Sequence, residues 1–144
     1  MIDHVSTERR SAMMSAVRGK NTRPEMLVRS AAHRLGLRFR LHAADLPGRP
    51  DLVFRKIRTA IFVNGCFWHR HHGCRKASMP KSNRRFWANK FRENVRRDKA
   101  NYAKLEALGW RVIIVWQCEV RTLDEASGVI KNRFKRYFRE RSSA

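Results

Sequence analysis

Three cysteines, at positions 66, 74 and 118, constrain the fold of this 144-residue chain more than any other feature. Two of them lie in the stretch GCFWHRHHGC, residues 65–74, together with His69, His71 and His72. Cys118 comes just after the apolar run WRVIIVW, residues 110–116. Three thiolates and one imidazole make a tetrahedral Cys₃His set, closed to substrate and suited to structural zinc. The set can form only if the end of the 110–116 segment lies beside the 65–74 loop. Spacing alone leaves all three histidines open as the fourth ligand. The odd cysteine count argues against a disulfide framework and for a reducing compartment. The N-terminal MIDHVSTERR lacks the apolar core of a secretory signal, and no run approaches the roughly 20 apolar residues of a membrane span. The expectation is a cytoplasmic protein.

Helical and strand periods alternate along the chain, which predicts a single α/β domain over residues 1–144. Residues 6–18 read as a first helix, with 1–20 as a mobile arm. Thr22-Arg-Pro-Glu25 opens a second helix: Thr22 can cap it, Pro24 fits its first turn, and Glu25 can close a capping box. Gly36 ends it. RFRLH (38–42) alternates like a half-buried strand. DLVF (51–54) and TAIFV (59–63) are short apolar strands joined by the turn RKIR. Residues 83–108 predict a long helix with Trp87, Phe91, Val95 or Asn94, Tyr102 and Leu105 near one stripe. WRVIIVW is almost continuously apolar, as in a strand covered on both faces. Thr122-Leu-Asp-Glu125 starts one last, very basic helix.

Charge narrows the function. Lys and Arg number 33 against 12 Asp and Glu, a formal net charge of +21. A basic excess of that size suits a polyanion such as nucleic acid, because Lys and Arg neutralise phosphates and release counterions. Pro50-Asp51 opens a strand at a sheet edge, where a carboxylate can hold a divalent ion for phosphodiester cleavage. An Asp after proline is more commonly a turn residue, so the pair alone is a weak signal. His69, when not a zinc ligand, is a base for neutral pH, and Asp98 on the long helix is placed to orient it.

LPGRPD (46–51), IFVNGCFWH (61–69), FW (86–87), NVRRD (94–98) and LGWRVIIVWQCE (108–119) together resemble the very-short-patch repair (Vsr) endonucleases. MSAVRGKNTRPE (14–25) fits as well, so the resemblance runs in order over roughly residues 10–120. It implies a restriction-endonuclease-like core with a mixed sheet, flanking helices and a structural zinc site. It implies an enzyme that nicks double-stranded DNA 5′ to the T of a T:G mismatch left by deamination of 5-methylcytosine. Mg²⁺ would be held by Asp51 and the main-chain carbonyl of Val63. His69 would act on the attacking water or the scissile phosphate, supported by Asp98, and Glu25 would support residue 64 through a hydrogen bond. The zinc ligands implied are Cys66, His71, Cys74 and Cys118, with Cys74 displaced one position by Gly73.

The same resemblance makes Phe67, Trp68 and Trp87 a wedge that enters the duplex beside the mismatch. It places Lys90 and Asn94 at the mismatched pair and Met14 in the other groove. Position 64 departs from the family pattern: well-known members carry a catalytic-site His, and this chain carries Asn64. An amide cannot exchange a proton near pH 7, although it can hydrogen-bond to water or phosphate. The implied partners are mismatched DNA, a companion cytosine-5 methyltransferase and mismatch-repair factors, with the protein acting as a monomer.

Overall fold

A computed structural model describes residues 21–142; the predicted helix at 6–18 and Met14 lie outside that range. Four strands form one mixed sheet, with four α-helices on its two faces. In chain order the elements are α1 (Arg23–Arg34), β1 (Arg40–Leu41), β2 (Leu52–Phe54), β3 (Thr59–Asn64), α2 (Arg84–Ala107), β4 (Arg111–Trp116), α3 (Leu123–Arg133) and α4 (Lys135–Ser142).

The sheet order is β1-β2-β3-β4. β2 pairs antiparallel with β1 and β3, whereas β3 and β4 are parallel. A parallel pair needs a crossover, and α2 supplies it. One face of the sheet, through Leu52, Phe54, Ile61, Ile113 and Val115, packs against α1 and α3. The other, through Val53, Ala60 and Phe62, packs against Leu105 and Trp110 at the end of α2. Alternation along each strand thus builds a core on both sides.

Three expectations are corrected. β1 is two exposed residues rather than RFRLH, because His42 turns into the left-handed region at φ 47° and ends the pairing. β4 is covered less evenly than a continuous apolar run suggests. Ile113 and Val115 are buried, but Val112, Ile114 and Trp116 are only half-buried, since β4 is an edge strand. The last helix is two helices, divided at Phe134. Its ring is fully buried, 5.0 Å from that of Phe54, so the chain bends where it enters the core.

The loop before β2 is pinned to α2. Gly48 has φ 75°, and a Cβ there would lie 2.9 Å from the Cβ of Asn101. Only glycine allows both that backbone and that approach.

Candidate functional site

The parallel register explains the Cys/His cluster. Asn64 and Trp116, the last residues of β3 and β4, are partners across the sheet. Cys66 and Cys118 each lie two residues beyond and so emerge side by side. The 65–74 loop then folds back, with the His71 N–H donating to the Cys66 carbonyl and the Cys74 N–H to the His71 carbonyl. His71 Nδ1 lies 3.6 Å from Cys66 Sγ and 3.4 Å from Cys118 Sγ. The donor atoms of Cys66, His71, Cys74 and Cys118 all lie within 4.8 Å of one another, a cluster able to hold a metal ion. Of the three candidate imidazoles, His71 is therefore the one brought to the thiols. Its ring is stacked on Trp116, centroids 4.2 Å apart and planes 10° from parallel, which fixes the direction of Nδ1. Burial pushes the Cys66 thiol up to about 12, while the Lys76 N–H pulls Cys74 down. A metal bound here must displace the proton of Cys66. Gly73, just before Cys74, sits at φ 72° with open space around it.

The second cluster sits at the start of β2. Asp51 is clamped through its backbone and its side chain. Its N–H donates to the Ile61 carbonyl, its carbonyl accepts from the His42 N–H, and its Oδ2 accepts from the Val63 N–H at 2.7 Å. Glu25, in the first turn of α1, is 2% exposed. Its carboxylate pairs with Arg29 and lies 3.0–3.1 Å from His42 Nε2. The ligand atoms of Glu25, His42 and Asp51 fall within 4.8 Å of one another. Burial, with the charge of Glu25 adding to it, raises the Asp51 carboxyl to about 7 against the pull of the Val63 N–H and Arg29. Clamped oxygens with excess negative charge fit a divalent cation, which would reverse that upward shift.

The third group hangs on one face of α2. Asn94, Asp98 and Tyr102 are spaced i, i+4, i+8 and point the same way. Asn94 donates to the Trp68 carbonyl at 3.2 Å, Asp98 Oδ2 lies 2.6 Å from His69 Nδ1, and the Tyr102 hydroxyl accepts from Asn64 Nδ2 at 2.8 Å. Asp98 therefore fixes the His69 ring and leaves Nε2 as its working nitrogen. Burial, with the negative charges of Asp98 and Asp51 adding to it, lifts the Tyr102 hydroxyl to about 12 against the pull of the Asn64 bond, so Tyr102 stays neutral.

Phe67, Trp68, Trp87 and Phe91 form an aromatic cluster, with the Phe67 ring 5.1 Å from Trp68, 5.8 Å from Trp87 and 5.1 Å from Phe91. Within it Phe67 and Trp87 are half-buried, and Phe86, which the resemblance did not single out, is 61% exposed. Arg70 locks the loop, donating to the carbonyls of Phe67, Ala77 and Ser78 with its guanidinium 3.9 Å from the Phe91 ring centroid.

Several residues depart from their expected settings. Glu25 directs its carboxylate to Arg29 and His42, so it neither closes a capping box nor bonds to residue 64; Thr22 does cap α1. Asn64 is 4% exposed and bonds to Tyr102. Asn94 is 1% exposed, with its Nδ2 donating to the Trp68 carbonyl and its Oδ1 accepting from Arg97. Trp68 is only 9% exposed. Lys90 is half-buried on α2. Arg29, His42, Tyr102 and Arg70 were missed from sequence. Only Tyr102 carried a signal, its place on the α2 stripe.

Residues 2–76 match the family described as DNA mismatch endonuclease Vsr. A type II nicking enzyme, V.XorIIP of Xanthomonas oryzae pv. oryzae, is 51% identical over 132 residues, covering 92% of this chain and 96% of that protein. Another, V.NmeAIP of Neisseria meningitidis, is 39% identical over 97% of this chain and 96% of its own length. The DNA mismatch endonuclease Vsr of Escherichia coli is 44% identical over 78% of this chain and 71% of that protein. With the Asp51 centre, the His69–Asp98 pair and the Cys/His cluster in one short chain, these likenesses identify it as an endonuclease belonging to the Vsr DNA mismatch endonuclease family.

Proposed function

We propose that this enzyme nicks one strand 5′ to the T of a T:G mismatch, with Mg²⁺ as cofactor, and so initiates very-short-patch repair of deaminated 5-methylcytosine. The observation that carries the reading is Asp51, half-buried at the head of β2 with one oxygen held by Val63 and an acidic neighbour in Glu25. The four-stranded core is read as restriction-endonuclease-like, and the metal of the Cys/His cluster as zinc.

In this reading the Asp51 carboxylate and the Val63 carbonyl hold the divalent ion. When bound, the ion polarises water and neutralises charge on the scissile phosphate. Asp98 accepts from His69 Nδ1–H, which keeps that tautomer and leaves Nε2 to move a proton at the attacking water or the leaving oxygen. Arg29 and Asn64 are in place to hold neighbouring groups rather than to exchange protons. Phe67 and Trp87, helped by exposed Phe86, face the base stack. A poorly paired T:G step lowers the few kcal/mol of unstacking that such a wedge requires. The excess of basic side chains supplies phosphate contacts that position the duplex without reading sequence. The enzyme acts as a cytoplasmic monomer on lesions left by a companion cytosine-5 methyltransferase, with mismatch-repair factors as further partners.

Duplexes that differ only at one pair test the substrate. With Mg²⁺, the T:G duplex should be nicked on the T strand and the T:A and C:G duplexes left intact. Equal cutting of paired DNA would replace this reading with a nuclease of looser, restriction-like specificity.

A further inference from the structure

The Asp51 centre contains an imidazole that none of the expected roles uses. His42 comes from the turn after β1, with φ 47°, and its N–H is bonded to the Asp51 carbonyl. Its side chain is 13% exposed, and Nε2 lies 3.1 Å from Oε1 and 3.0 Å from Oε2 of Glu25. Arg29 engages Oε2, and its guanidinium also lies 3.5 Å from His42 Nε2. One nitrogen of His42 and one oxygen each from Glu25 and Asp51 lie within 4.8 Å of one another. Donors at roughly 2.1 Å from one ion are about 3 Å apart when adjacent and about 4.2 Å when opposite. The cluster is therefore nearly the size of a coordination shell.

We propose that His42 ligates the catalytic divalent ion through Nε2, with Glu25 and Asp51, and that this nitrogen gives the centre a preference for transition-metal ions such as Mn²⁺ over Mg²⁺. The inference rests on the proposed nuclease reading of Asp51 and assigns two further ligands, His42 and Glu25, to that site. Mg²⁺ takes oxygen ligands and keeps its waters, whereas an imidazole favours first-row transition metals. Position 64 offers no imidazole in this chain, and His42 brings one to the Asp51 cluster. Ligation needs the Nε2 lone pair, so the bound ring would be the neutral tautomer that carries its proton on Nδ1.

Mn²⁺ alone is the probe, bound to the full chain and followed by electron paramagnetic resonance. The wild-type spectrum should show coupling to an imidazole ¹⁴N that vanishes in His42→Gln and persists in His69→Gln. His42→Gln should weaken Mn²⁺ binding about tenfold or more and Mg²⁺ binding less than about twofold. His42→Asn is the second variant, because asparagine tolerates the left-handed backbone and its amide is too short to replace the ring nitrogen. A ¹⁴N coupling that survives both His42 variants, or is missing from the wild type, overturns the assignment. Nicking of T:G duplex by the same preparations separates the two readings. Nicking without a His42 coupling removes the ligand and leaves the function, whereas a His42 coupling without nicking does the reverse.

Discussion

The two clusters of possible metal ligands are built in opposite ways. Cys66, His71, Cys74 and Cys118 close four donors around one point, at the ends of two paired strands and with the imidazole stacked on Trp116. Glu25, His42 and Asp51 bring three donors from a helix, a turn and a strand start, and Arg29 shares the carboxylate. A closed sulfur-rich set leaves no position for substrate, so its work is to hold the loop that carries Phe67, Trp68 and His69. An oxygen-rich set with three donors leaves positions for water and phosphate. In the proposed reading, one cluster holds geometry and the other offers chemistry.

That contrast predicts which changes destroy structure and which destroy only catalysis. The largest effect should come from Cys118→Ser, which removes the one ligand outside the loop. Bound zinc, measured by elemental analysis, should fall below one per chain, with the melting temperature and DNA binding falling as well. Asp51→Ala should retain its zinc, fold and duplex binding yet lose about a thousandfold or more in single-turnover nicking. His69→Ala should lose about a hundredfold or more, and Asp98→Asn should lose less while shifting the pH–rate profile, because the ring keeps its nitrogen but not its orientation. If Asp51→Ala instead unfolds the protein, the division between the clusters fails.

Two smaller effects sharpen the comparison. The raised carboxyl of Asp51 predicts the pH response of the metal-free chain. Between its unfolded value near 3.8 and its folded value of about 7, the folded state holds a proton that the unfolded state has released. Stability is therefore greatest below that window and falls as pH rises through it, by up to about 1.4 kcal/mol per pH unit. Denaturant titrations from pH 4 to 8 in chelator should show that slope, and Asp51→Asn should flatten it. The smallest effect expected is from Asn64→His. Asn64 is buried against Tyr102, and a new ring must first displace that bond, so single-turnover nicking should change by less than about tenfold. A much larger gain would show that the amide cripples the site.

Local signals in the chain made much of this legible. The Thr22 and Thr122 caps, the apolar strands and the α2 stripe specify their elements through nearest-neighbour physics. The Cys/His set was visible because its chemistry demands few residue types, and the in-register strands then deliver Cys66 beside Cys118. His42 and Arg29 were not visible. His42 is 17 residues from Glu25, and no periodicity links a turn histidine to a helix carboxylate. Asn94 was legible as a place on the α2 stripe but not in its contacts, since nothing local tells that it ties down Trp68. The wedge could be narrowed only by burial, which set Trp68 inside and left Phe86 outside.

The most direct test of the division between the two clusters is single-turnover nicking of T:G, T:A and C:G duplexes by wild type and Asp51→Ala, with zinc content measured on both. The expected result is T-strand nicking of the T:G duplex by wild type alone, with equal zinc in the two proteins. Nicking by Asp51→Ala with its zinc intact would contradict the assignment of chemistry to the Asp51 centre.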